Sequence, residues 1–170
     1  MKITSRALRT LVREAVESNK ILKERPWSVE YTFKISGGKA SDSEGQAADG
    51  FAIVMTSKSG RSARVVVDCY WNPQSGDQSG NSLRFETEGR EAVSTYVPTK
   101  FDNEKQQKII ISNSPVAEII CISHCVDTRS VPVTYLVAPN PFEINDDLEF
   151  DVENIGNGEI SVKLTDHINL

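Results

Sequence analysis

No apolar run in this 170-residue chain approaches the roughly 20 residues that a membrane-spanning helix needs. Histidine is scarce: His124 and His167 are the only two, which leaves little material for imidazole-based acid–base chemistry or metal ligation. The three cysteines, Cys69, Cys121 and Cys125, are an odd number, and the last two sit too close together for a useful staple. They read as small buried apolar residues in a reducing compartment. The first twenty residues carry charge throughout and lack the apolar stretch of a secretory signal, so synthesis in the cytoplasm is expected. Phosphate-cradling glycine motifs and a G-x-S-x-G nucleophile elbow are also missing.

What remains is an ordinary globular composition, long enough for one domain with a real core. Its net charge of −5 is unevenly spread. Residues 1–25 hold seven basic and three acidic side chains, a balance of +4 that leaves −9 for the rest. Within that segment Thr4 or Ser5 can cap a helix, and Leu8, Leu11, Val12, Ala15 and Val16 recur at spacings of three and four. Arg6, Arg9, Arg13 and Glu17 fall on the opposite face, and Pro26 stops the pattern. A lone helix of this length is marginal in water, so its narrow apolar stripe must pack on something. Arg6, Leu8, Arg9, Leu11, Val12, Arg13 and Val16 are therefore the candidate partner-docking residues. The arm has no aromatic interleaving and no second DNA-reading helix, which makes specific nucleic-acid binding an unfavoured reading.

From Trp27 the period changes to two. Trp27, Val29, Tyr31, Phe33 and Ile35 share one face of a strand, with Ser28, Glu30, Thr32 and Lys34 on the other. Residues 37–50 and 72–82 read as polar loops. Between and beyond them, Phe51–Met55, Arg64–Trp71, Leu83–Phe85, Ala92–Val97, Ile109–Ile111, Ile119–Val126 and Val131–Val137 read as strands. The three successive valines Val65, Val66 and Val67 suit a central strand covered on both faces. Leu148, Phe150 and Val152, a turn at 154–158, and then Ile160, Val162 and Leu164 predict a closing hairpin. About ten strands imply a mainly β fold: a two-sheet, jelly-roll-like β-sandwich over 26–170, preceded by one N-terminal α-helix over 1–25.

Chemistry is hard to find. In a strand, Cys121 and Cys125 point away from His124, so they cannot share a tetrahedral metal with it. No spacing ties Ser112 or Asp127 to His124 as a nucleophile–base pair. The run Glu143, Asp146, Asp147, Glu149, Asp151 and Glu153 lacks the calcium-loop pattern and reads as the solvated face of a strand, where like charge discourages edge pairing. No catalytic residue, metal ligand or cofactor is assigned. Tyr70 and Trp71, beside Asn72 and Pro73, are the candidate ligand surface, although such a pair more commonly closes a β core.

Two stretches carry a resemblance. The opening MKITSRALRTLVREAVE resembles a leader, MKIT-x-x-x-L-R-x-I/L-I/V-R-E, of proteins from marine and cyanobacterial tailed phages. ISNSPVAEIICISHCVD and YLVAPNPFEINDDLEFDVENIGNGEISVKLTD, within Tyr96–Asp166, resemble the C-terminal half of small tail- or tail-fibre-associated phage proteins. The matching positions are Ser112, Asn113, Asp127, Leu136, Pro139 or Pro141, Ile144, Asp147, Leu148, Phe150, Ile160, Val162 and Leu164. Asp146 departs from that group's glycine, and its Trp-Gly pair is missing. The resemblance implies a non-enzymatic virion protein (head decoration, neck, tail or fibre attachment) that forms a homo-oligomer in the particle with other virion proteins and has no membrane partner. The competing expectation is a lectin- or adhesin-like module that binds a glycan or receptor through the 37–50 and 72–82 loops.

Overall fold

The computed structural model describes residues 26–36, 50–69, 81–101, 104–114, 117–143, 146–155 and 159–169. Ten strands make up the regular structure: β1 Trp27–Ser36, β2 Gly50–Ser57, β3 Ser62–Asp68, β4 Ser82–Thr87, β5 Val93–Tyr96, β6 Gln107–Ser114, β7 Ile119–Cys125, β8 Val133–Pro139, β9 Leu148–Ile155 and β10 Glu159–Asn169. They form two five-stranded sheets, sheet A in the order β10-β1-β6-β7-β8 and sheet B in the order β5-β4-β3-β2-β9. Every pairing is antiparallel. Among the described residues there is no helix. The expected N-terminal helix over 1–25, with its docking residues from Arg6 to Val16, lies outside them, as do Tyr70 and Trp71.

Alternation decides which side chains enter the sandwich. Val29, Tyr31, Phe33 and Ile35 of β1 are buried, and so are Phe51, Ile53 and Met55 of β2 and Ile109 and Ile111 of β6. They meet Val65, Val67, Leu83 and Phe85 from sheet B and Ile120, Ile122 and Leu136 from sheet A in one core cluster. At its centre the Phe33 ring packs on Phe51 at 5.1 Å and on Phe101 at 6.1 Å, each in a tilted or edge-on arrangement that aromatic quadrupoles favour. Val66 on β3 is as buried as Val65 and Val67, as expected of a strand covered on both faces.

The predicted closing hairpin is corrected by the structure. β9 pairs with β2 in sheet B, while β10 pairs with β1 in sheet A, so the two strands arch between sheets instead of pairing with each other. Both carry an inward apolar row, and facing sheets half-bury Phe150, Val152, Ile160 and Val162, while Leu164 stays exposed. The arch lies alongside the one made by β1 and β2: Ser36 is opposite Glu159, and Gly50 is opposite Ile155. Gly50 opens β2 with φ of +125°, and a Cβ there would lie 1.8 Å from the carbonyl oxygen of Val67, so only glycine fits.

Candidate functional site

The outer faces of the two sheets treat charge differently. On sheet B, register sets Glu86 opposite Arg64 and Arg84 opposite Val66, with Glu153 opposite Ala52 on the far strand. Arg84 reaches Glu86 at 2.7 Å and Asp68 at 3.7 Å, and Arg64 reaches Glu153 at 3.2 Å and Glu86 at 3.6 Å. The exposed pairs contribute at most about 1 kcal/mol each, and between them they give both arginines carboxylate partners.

Sheet A is organised otherwise. On its outer face β10, β1 and β6 enclose an open polar groove of about 410 Å³. Strand alternation turns Glu30, Thr32 and Lys34 outward from β1, because Tyr31, Phe33 and Ile35 are committed to the core. Register then builds rows across the strands. Thr32 has Lys163 of β10 on one side and Lys108 of β6 on the other, and Lys34 sits opposite Ser161. Lys108 is tied down by Glu30, with its Nζ 2.7 Å from a carboxylate oxygen. Among the described residues, Lys34 and Lys163 form no ion pair.

A β-bulge shapes the acidic end of the groove. The pairing of β1 with β10 shifts between Glu30 and Tyr31, which leaves Thr165 as the extra residue of β10. Its hydroxyl donates toward the backbone carbonyl and a carboxylate oxygen of Glu30, each at 3.1 Å, and accepts from Thr32 at 3.4 Å. Thr32 and Thr165 are thereby held in position, and the bulge brings a third hydroxyl beside those of Thr32 and Ser161. Gln106 and Thr128 complete the rim on the β6–β7 side.

A second polar group lies inside. His124 and Gln107 are both fully buried. The Gln107 amide donates from Nε2 to the carbonyl oxygens of Phe101 at 2.8 Å and Lys100 at 3.3 Å, which fixes Oε1 as an acceptor. His124 Nε2, 2.8 Å from that oxygen, must carry the proton, so Nδ1 is unprotonated, and it has no hydrogen-bond partner. The imidazole packs edge-on to Phe101 at 5.2 Å, and burial pushes its pKa down to about 4. With no hydroxyl, thiol or carboxylate hydrogen-bonded to it, this neutral ring serves as a core contact.

The thiols follow the expected strand geometry. Cys121 is half-buried and Cys125 is buried, and neither is in a disulfide. The Cys125 thiol has its pKa raised, chiefly by burial, so it is a poor nucleophile. Glu149, Asp151 and Glu153 are exposed on β9, as a solvated face requires. Asp127, at the end of β7, accepts N–H bonds from Arg129 at 2.7 Å and Ser130 at 2.8 Å, which makes it the turn residue of the β7–β8 connection. Asn113 accepts from the Trp27 backbone N–H at 2.6 Å and so secures the start of β1. Among the described residues no three His, Cys, Asp or Glu side chains gather to hold a metal ion.

No protein-family model matches this chain, and no curated protein matches it either. Among solved structures, basic winged bean lectin with Tn-antigen superposes with a TM-score of 0.54 at 11 % identity, covering 82 % of this chain and 72 % of that one. Lectin I-B4 of Griffonia simplicifolia, in its metal-free form, has the same coverage, with a TM-score of 0.42 and 16 % identity. The fold is a lectin-like β-sandwich. At such low identity the likeness is one of architecture, and no site residue transfers with it.

Among the groove residues, sequence alternation puts Thr32 and Lys34 on the outer face of their strand but points to no role for them. Lys108, Ser161, Lys163 and Thr165 carried no signal, since only strand register brings them together.

Proposed function

We propose that this protein is a recognition module that binds a carbohydrate on the outer face of sheet A, in the groove between β10, β1 and β6. One observation carries the reading: hydroxyls and two lysines without carboxylate partners among the described residues converge on that groove, whereas sheet B pairs Arg64 and Arg84 with acids. Fixed hydroxyl, ammonium and carboxylate groups at strand spacing suit a ligand rich in hydroxyls, which needs donors and acceptors already in place. The lectin-like architecture supports the same reading; the superposing winged bean lectin was solved with Tn-antigen. A β-bulge beside the groove fits too, because bulges commonly re-aim side chains next to binding sites.

A glycan array probed with the whole chain tests this. Binding should be abolished by Ser161→Trp, which fills the groove from an exposed position, and should persist in Trp71→Ala. The opposite pattern would move the site to the 72–82 loop, and an array without any binding would remove the reading altogether. A place in a phage particle, with virion proteins as partners, is a separate proposal carried by the leader and the Tyr96–Asp166 stretch alone. Mass spectrometry of purified particles tests it, and absence of the chain from them overturns it.

A further inference from the structure

We infer that the feature recognised in the groove is an anionic substituent on the sugar, a sulfate or a carboxylate, held between Lys34 and Lys163 above Thr32. This rests on the carbohydrate reading above and specifies its ligand. Neighbouring strands lie about 4.8 Å apart, and residues on one face of a strand recur about every 6.7 Å. Lys163, one strand from Thr32, and Lys34, one repeat along β1, therefore start close enough for their flexible stems to bring both ammonium groups onto one oxyanion. The hydroxyls of Thr32 and Ser161 occupy the other diagonal of the same four positions; that of Ser161 can donate to a remaining oxygen lone pair, and that of Thr32 can do so by turning from Thr165.

Three further observations favour this class of ligand. The chain has a net charge of −5, so two lysines side by side without an ion pair among the described residues are not the overflow of a basic protein. Among the described residues that line the groove the one carboxylate, Glu30, stands at the other end, where Lys108 and Thr165 occupy it. That end can accept from a sugar hydroxyl, while the Lys34 end takes the charge. Finally, no aromatic ring faces outward among the groove residues: the ring of Phe33 packs inward on Phe51. Stacking of a neutral sugar or a nucleobase therefore has no platform, and recognition falls to charge and hydrogen bonds.

Isothermal titration of the whole chain with one glycan backbone in neutral, sulfated and uronate-bearing forms tests the inference. Single-stranded DNA and inorganic polyphosphate serve as non-sugar polyanions. An anionic form should bind at least about tenfold tighter than the neutral one, as expected for charge-assisted hydrogen bonds, and should weaken as salt rises. Lys34→Gln and Lys163→Gln should each erase most of that preference. Arg90→Gln, the same loss of charge in the β4–β5 turn, should leave it intact, with thermal melting confirming that all three variants fold. Equal affinity for the neutral form overturns this inference and leaves the carbohydrate reading standing. Equal binding of DNA or polyphosphate overturns both, since the sugar is then not what is read.

Discussion

His124 shows how one residue ties packing to solution conditions. Its pKa is lowered to about 4 by burial, against about 6.5 for an exposed imidazole. Above pH 6.5 neither the folded nor the unfolded chain protonates it, and the residue adds no pH dependence. Between 6.5 and 4 the unfolded chain takes up the proton and the folded one does not, so stability falls as pH falls. The loss amounts to about 3 kcal/mol by pH 4. Denaturant unfolding of the wild type should show this slope, and His124→Gln, which keeps a donor for Gln107, should flatten it over the same window. An unchanged slope in the variant would mean that carboxylates, not His124, set the acid limit.

Strands differ in how they are held. β1, β2, β3, β4, β6 and β7 have neighbours on both sides, whereas β5, β8, β9 and β10 are the sheet edges. The inward residues of β9 and β10, including Phe150, Val152, Ile160 and Val162, are only half-buried, and Leu164 is exposed. Local opening starts where few apolar contacts are lost. Amide hydrogen exchange should therefore be fastest in β5, β9 and β10 and slowest in β1, β3, β6 and β7; protection of β10 equal to that of β6 would contradict the assigned topology. The same strands mark the limit of what sequence reveals. The alternation in Trp27–Ile35 and in Leu148–Val152 tells which residues face inward, because burial has a period of two. It does not tell which sheet a strand joins. Turn residues at 154–158 therefore suggested a hairpin where the chain arches across the core. The groove was hidden for a related reason, since Thr32, Lys108 and Lys163 come from three strands and only their pairing makes them neighbours. His124 and Gln107 likewise meet through the β6–β7 ladder and have no motif to announce them.

At the scale of the molecule, the first and last described strands are partners. β1 begins the sandwich and β10 completes it, so the fold depends on a contact between residues far apart in the chain. Such non-local pairing slows folding and makes it cooperative. A chain ending at residue 158 would lose β10, expose the edge of β1 and uncover the core beside Val29, Phe33 and Ile35. It should fail to give a cooperative thermal transition and should aggregate through the bared edge, as light scattering would show. A soluble, cooperatively melting product would show instead that the remaining nine strands suffice.

That pairing also gives the molecule two poles. Trp27 lies opposite Asn169 at one pole, and Ser36 lies opposite Glu159 at the other. Whatever precedes β1 and whatever follows β10 therefore departs from a single pole. The connections at 37–49, 69–81, 126–132 and 156–158 all leave from the opposite one, and Lys34 lies next to it. A module with this geometry can be tethered by either terminus, or by both, and still present the lysine end of its groove to its surroundings.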